Sequence, residues 1–297
     1  MTHRRSTLPN PARADTLPTA TLTWLRRHAV ISYFVIAYAL SWAVWIPMAL
    51  AGARVYQGQA WPSHIPGLFG PMAAAFIMSA VVAGSAGMRD LLRRILRWRV
   101  AARWYLVALS PLAFYALAVI TLAALGQSWP DLTQMGKFSG LPVVAVPVMG
   151  LLLLATSYAE ETGWRGFAAE ELLKRRSLLW TALVIGPLWT FWHVPSVFVI
   201  ENYRQMGLAI IPILTLGLVS GSILLAWLYR GSGGSVFLVA LWHGCYNLVT
   251  ATAAAGAVPA AVVSTAVMVW AVVIVVAEVR RGRREHAPQA QVTPTTI

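Results

Sequence analysis

The chain has 297 residues, of which 58% are hydrophobic and only 11% charged, and it carries a formal net charge of +13. A soluble domain of this size holds about a quarter charged residues, so the composition excludes a soluble globular protein and requires a multi-pass membrane protein. The single cysteine, Cys245, excludes an intrachain disulfide and a cysteine-rich metal cluster. The excess of arginine does not indicate nucleic acid. The basic residues gather in short loops between apolar runs, which is how membrane topology is encoded, so no nucleic-acid partner is expected and the lipid bilayer is.

Residues 1–28 read as a disordered basic cytoplasmic tail. Arg4-Arg5 resembles a twin-arginine start and Ala49-Leu50-Ala51 a small-residue cleavage site. A polar stretch with Pro9, Pro11 and Pro18 separates the arginines from the first apolar run, however. That run also exceeds the ~7–15 residues of a signal-peptide core, so it is expected to remain as the first span. Runs near the ~20 residues needed to cross a bilayer occur at 30–52, 66–86, 104–125, 141–159, 178–199, 207–229, 236–254 and 258–278. The fold class expected is an all-α polytopic membrane bundle of about eight transmembrane helices. Pro66, Gly67, Gly70 and Pro71 predict an irregular start to the second run, and Ala255-Gly256-Ala257 a tight turn between the last two.

Charge orients these spans. With Arg165 set aside, 19 of the 23 basic residues fall before span one, after spans two, four and six, and in the tail 280–297; only Arg54, Lys137 and Arg204 fall on the other side. This asymmetry predicts an even number of spans, both termini cytoplasmic, and a cell (cytoplasmic) membrane location. Loop 88–104 alternates arginines with Leu91, Leu92, Ile95, Leu96, Trp98 and Val100, which predicts an amphipathic interfacial helix; segment 160–176 resembles it. Gly217 and Gly221 form a GxxxG in span six and predict close helix packing there.

Two of the ten acidic residues, Glu160 and Glu161, end the fourth apolar run. Carboxylates at membrane depth are costly and mark functional sites. On a helix the two side chains diverge by about 100°, so they cannot share a partner. Glu161 and Arg165 have the i,i+4 spacing at which the two meet on one face. Glu160 is then expected to face the interior with an unpaired carboxylate, and burial without a cation is how a carboxylate becomes a competent general base near neutral pH.

His193 lies in Trp189-Thr190-Phe191-Trp192-His193-Val194-Pro195. Pro195 lacks an N–H, so a kink and an unpartnered carbonyl at Phe191 are expected beside the histidine. His243 and Asn247, again i,i+4, project from one face of span seven and can direct N–H donors at a single oxygen, as an oxyanion hole requires. Cys245 turns to another face, which disfavours a Cys–His nucleophile pair.

Glu-Glu-x-x-x-Arg (Glu160, Glu161, Arg165), aromatic-x-x-x-His (Trp189, His193) and His-x-x-x-Asn (His243, Asn247) on successive membrane helices resemble the motifs of the CPBP intramembrane proteases. These include the type II CAAX prenyl endopeptidases and the bacterial Abi-type proteins. The resemblance covers about 140–255 and makes 29–279 a transmembrane protease domain. One position departs from it: the second motif usually begins with Phe, and here it begins with Trp189, which bears on the shape of the pocket. The resemblance implies a site opening to the cytosol through a conical cavity. Glu160 and His193 would activate a water, and His243 and Asn247 would stabilise the tetrahedral oxyanion. The expected activity is that of an intramembrane endopeptidase cutting a peptide or protein substrate near the cytoplasmic face. No cofactor is required by this mechanism. The alternative is a Zn2+ held by Glu160, His193 and His243, against which the Glu161–Arg165 pair argues, since a cation beside Zn2+ is unfavourable. Two other classes fit the same ionisable residues: a proton-coupled transporter, and a non-catalytic membrane partner or immunity protein.

Overall fold

The computed structural model describes residues 19–285; the expected tail segments 1–18 and 286–297 lie outside the described residues. Among the described residues no strand forms. Val55 with Ile200 and Gln57 with Ser139 make isolated bridges, and all other regular structure is helical. The expected all-α membrane bundle is therefore the observed architecture. It runs as α1 (Thr19–Arg27), α2 (Ala29–Leu50), α3 (Gly70–Ile95), α4 (Ala102–Ala108), α5 (Ser110–Ala124), α6 (Val146–Gly163), α7 (Glu170–Leu173), α8 (Leu178–Trp192), α9 (Val194–Val197), α10 (Glu201–Met206), α11 (Ile210–Gly231), α12 (Val236–Thr250) and α13 (Ala257–Glu285).

The N-terminal tail differs from expectation where it is described. Thr19–Arg27 is helical rather than disordered, and Arg26 Nε donates to the carbonyl of Val81 at 2.8 Å. α13 continues as one helix through Arg280, Arg281, Arg283 and Arg284.

Among the described residues, four stretches are long and apolar enough to cross a membrane: Ala29–Leu50, Ile65–Ile95, Glu201–Gly231 and Ala257–Arg283. A fifth is added if α4 and α5, bent by 51°, count as one. Eight crossings are thus not confirmed by helix length. α8 and α12 have 15 residues each, about 22 Å of helix against a hydrocarbon core of about 30 Å. α8 is cut short by the break at His193, and both short helices carry ionisable motif residues, His193 at the end of α8 and His243 in α12.

The start of the second apolar run is irregular, as its prolines and glycines predict. A 3-10 turn at Ile65–Phe69 precedes α3. The carbonyl of His64 accepts from Trp45 Nε1 at 2.8 Å, and Ser41 Oγ donates to the carbonyl of Gly67 at 2.7 Å. A side chain at Gly67 or Gly70 would collide with Trp45 or Ser41. α3 kinks at Ala83 and Gly84, the latter at φ 56°, a conformation open to glycine. The amphipathic helix expected over 88–104 stops at Ile95. Residues 96–101 are not helical, and α4 begins at Ala102. Segment 160–176 is not interfacial: residues 160 to 169 are all buried, continuing α6 through a π-helical turn, Trp164–Ala169, into α7.

α6 lies centrally, packed against α12 and α3; α8 packs on α11, and α13 covers α11 and α5. The main core joins Tyr33, Trp45, Leu91, Trp164, Trp192 and Leu224. The GxxxG pair does not close-pack as expected, because a Cβ at Gly217 or Gly221 would meet nothing within 4 Å. The helix ends carrying arginines are clamped together: Arg94 pairs with Asp90 at 2.6 Å and with Glu170 at 3.3 Å, and Tyr229 Oη donates to Glu170 at 2.8 Å. At the opposite ends, loop 53–64 is pinned by Val55 N–H to the Val199 carbonyl at 2.9 Å, Gly58 N–H to the Phe138 carbonyl at 3.0 Å, and Gln57 Nε2 to the Ala251 carbonyl at 3.1 Å.

Candidate active site

The last turns of α6 place both glutamates inside the bundle. Glu161 and Arg165 are each 0% exposed, and Arg165 Nη1 donates to both carboxylate oxygens at 3.0 Å. This is the i,i+4 pair expected from their spacing. Arg165 belongs to the π-helical turn, a local widening that recurs at functional sites. Its Nε and Nη2 have no hydrogen-bond partner among the described residues. The guanidinium carbon lies 4.6 Å from the centroid of the Trp189 ring, so the indole face covers the remaining charge. Glycines allow neighbouring helices to come this close. A Cβ at Gly163 would lie 2.8 Å from the backbone carbon of Pro71 in α3, and one at Gly166 3.2 Å from Leu91 and Val236.

Glu160 is 5% exposed and departs from expectation. Its carboxylate is not unpaired, since Oε2 accepts from Trp189 Nε1 at 2.9 Å. Trp189 also reaches the histidines. Its carbonyl lies 2.8 Å from His193 Nδ1, and its ring meets that of His243 edge-on at 5.4 Å and 76°. A carbonyl only accepts, so His193 Nδ1 is the donor there, and Nε2 carries the lone pair of the neutral ring. His193 stands at the break between α8 and α9 that Pro195 enforces. Donors from α2 compensate for the break: Trp42 Nε1 reaches the Trp192 carbonyl at 3.0 Å and Tyr38 Oη the Leu188 carbonyl at 2.5 Å.

His243 is 7% exposed, and its Nδ1 lies 2.9 Å from Glu161 Oε1. The approach of α12 to α6 makes this possible, because the position of a Cβ on Gly244 lies only 3.3 Å from the backbone of Leu154. Glu161 is therefore shared between Arg165 and His243. Asn247 follows one turn beyond His243, partly buried, outside the hydrogen-bonded group that joins the other residues. His193 lies within electrostatic reach of both Glu160 and His243.

The structure thus gathers Glu160, Glu161, Arg165, His193 and His243 around one indole. Sequence reasoning missed the donor role of Trp189, because the motif was read as an aromatic position and not as an N–H. It also missed Tyr203 in α10, within electrostatic reach of Glu160, and His64, within reach of His193. Both come from short or irregular segments with no periodic signature. As for zinc, among the described residues no three His, Cys, Asp or Glu side chains converge as a metal ion requires. Glu160, His193 and His243 do not form such a set. Nδ1 of each histidine faces a protein oxygen.

Residues 142–249 match the family model for "type II CAAX prenyl endopeptidase Rce1-like", and all six candidate residues fall within that match. The chain is 27% identical over 235 residues to the CAAX prenyl protease 2 of Methanococcus maripaludis, covering 73% of this chain and 82% of that relative. These matches, with the three motifs converging in one buried site, make the chain similar to the Rce1-like type II CAAX prenyl endopeptidases and support its being a membrane protease.

Proposed function

We propose that the chain is an intramembrane endopeptidase in which Glu160 and His193 activate a water. The observation that carries this reading is the unequal treatment of two adjacent carboxylates. Glu161 is occupied by Arg165 and His243, whereas the hydrogen-bond partner of Glu160 among the described residues is a neutral indole N–H. A carboxylate hydrogen-bonded to a neutral donor is oriented but keeps its charge available for a proton. The water gives a proton to Glu160 or to His193 Nε2, and its oxygen adds to the peptide carbonyl carbon. The resulting oxyanion takes N–H donors from His243 Nε2 and the Asn247 carboxamide. The C–N bond then breaks as the proton moves from the base to the departing amine.

His243 performs this in one form only. Glu161 is an acceptor, so His243 Nδ1 must be its donor, and Nε2 carries a hydrogen as well only when the ring is an imidazolium. Glu161 is the counter-ion that permits that charge. The donor set needs no metal for these steps.

Glu160 lies 13 residues before Leu173 at the arginine-bearing end, roughly 20 Å along a continuous helix. This depth supports a cut on the cytoplasmic side of the membrane, near that face. The arginine asymmetry supports both termini being cytoplasmic. The substrate is a peptide or protein, and the name of the relative makes prenylated C-terminal peptides the first to try.

The test is cleavage of an internally quenched peptide panel, with and without a C-terminal farnesylcysteine motif, by the detergent-purified protein beside Glu160→Gln. Cleavage that is lost in the variant and indifferent to chelator is the expected result. Cleavage that survives Glu160→Gln overturns the base assignment, and cleavage lost to chelator and restored by zinc overturns the metal-free mechanism.

A further inference from the structure

The indole of Trp189 meets four of the candidate residues at once. Its N–H donates to Glu160 Oε2 at 2.9 Å, its face lies under the Arg165 guanidinium at 4.6 Å, its edge faces His243 at 5.4 Å, and its own carbonyl holds His193 Nδ1 at 2.8 Å. It is 3% exposed, so water competes little for the N–H. Helix α8 is itself held close to α11. A Cβ on Gly186 would lie 2.8 Å from Val219 Cα, and Thr190 Oγ1 donates to the Gly186 carbonyl at 3.1 Å. The ring is therefore carried on a helix packed closely against its neighbour.

From this geometry we infer that Trp189 is a positioning residue that assigns different chemical roles to Glu160 and Glu161. The inference rests on the reading of Glu160 as the base. The i,i+4 spacing gives Arg165 to Glu161 and leaves the adjacent Glu160 without a hydrogen-bonded cation. The indole separates them, presenting its π-face to the cation that serves Glu161 and its single donor to Glu160. An indole nitrogen can donate and cannot accept, so it fixes one carboxylate oxygen without taking the proton that the base must carry. An arginine in its place would also orient Glu160 but would hold it as the paired anion. A phenylalanine, the usual residue at this motif position, keeps the ring face for Arg165 and loses the donor.

The test uses the full-length protein in detergent, with an internally quenched peptide bearing a C-terminal farnesylcysteine motif and its non-prenylated twin. Trp189→Phe removes the N–H and keeps a ring. A second variant carrying β-(3-benzothienyl)alanine at 189, with sulfur in place of the N–H, preserves the bicyclic shape. Both are expected to lose about 10–100-fold in kcat, the scale of one hydrogen bond to a charged group, with KM changed less than about threefold. The acid limb of the pH–rate profile is expected to move, because the base has lost the donor that orients it. A purely structural role would lower the active fraction and leave that limb in place. If Trp189→Phe does not fold, the benzothienyl variant decides. Wild-type kcat and an unmoved acid limb in the folded variant overturn the inference. Glu160→Gln, run beside them, separates the two ideas: if it remains active, the base reading fails, and if it is inactive while the Trp189 variants match wild type, only the positioning role fails.

Discussion

His243 Nδ1 stands 2.9 Å from Glu161 Oε1, across 82 residues of sequence, and this contact joins the third motif to the first. It makes Glu161 the centre of a buried charge group rather than half of a simple helix-end pair. Arg165 supplies the fixed cation, and His243 the cation that can come and go with a proton.

Removing one member of that group leaves an uncompensated charge in a dry interior, which costs about 3–5 kcal/mol. Glu161→Gln and Arg165→Met are each expected to lower the thermal midpoint in detergent and to abolish cleavage. The double variant Glu161→Gln/Arg165→Met is expected to be more stable than the sum of the single effects predicts, because neither charge is then left alone. Additive losses would show that the two groups do not interact in the folded protein.

Asn247 stands apart from the hydrogen-bonded group, which suits a donor reserved for the oxyanion. Asn247→Ala is expected to lose about 10²–10³ in kcat with little change in KM and none in the thermal midpoint. An unfolding shift of more than a few degrees would instead make Asn247 a packing residue.

Glycines in two places should respond in opposite ways. At Gly163 a Cβ would meet Pro71 and the Tyr33 hydroxyl, so Gly163→Ala is expected to destabilise the α6–α3 contact by about 1–3 kcal/mol. At Gly217 and Gly221 a Cβ would meet nothing within 4 Å, so alanine is expected to be neutral or to stabilise α11 by up to about 1 kcal/mol through helix propensity. Thermal unfolding of the three single variants checks this. A destabilising Gly221→Ala would restore the close-packing reading of the GxxxG pair.

His64, just before the 3-10 turn that opens the second apolar run, is buried, and its Nδ1 has no hydrogen-bond partner among the described residues. Burial, with a smaller contribution from nearby His193, pushes its ring from an ordinary 6.5 down to about 4. Between these values the unfolded chain binds a proton that the folded chain refuses, so stability falls as pH drops from about 6.5 towards 4. His64→Leu is expected to flatten that acid loss, measured as the thermal midpoint against pH. A parent midpoint that does not change over this window would place the acid sensitivity elsewhere.

Much of the architecture was legible in the chain because hydrocarbon is an unforgiving solvent. Apolar runs bounded by arginine must be helices with every backbone group satisfied internally, and the run from 30 to 52 became Ala29–Leu50 almost unchanged. Irregularity was legible too at Pro66, Gly67 and Gly70, where side-chain-free positions meet Trp45 and Ser41. Helix lengths were less so. The kink at Gly84, the π-helical turn at Trp164 and the break at His193 all depend on which neighbours arrive to re-partner the backbone.

Within the site, spacing along one helix settled the Glu161–Arg165 pair, since i,i+4 geometry is local and needs no other element. The sequence determined which residue types would be buried together and on which helices. Only the tertiary structure decided that His243 belongs to Glu161 and that Trp189 donates to Glu160. Those bonds cross from α6 to α12 and α8, and the one to α12 rests on how closely Gly244 lets the two helix backbones approach. Periodicity reports the face a side chain occupies, but not the partner that packing brings to that face.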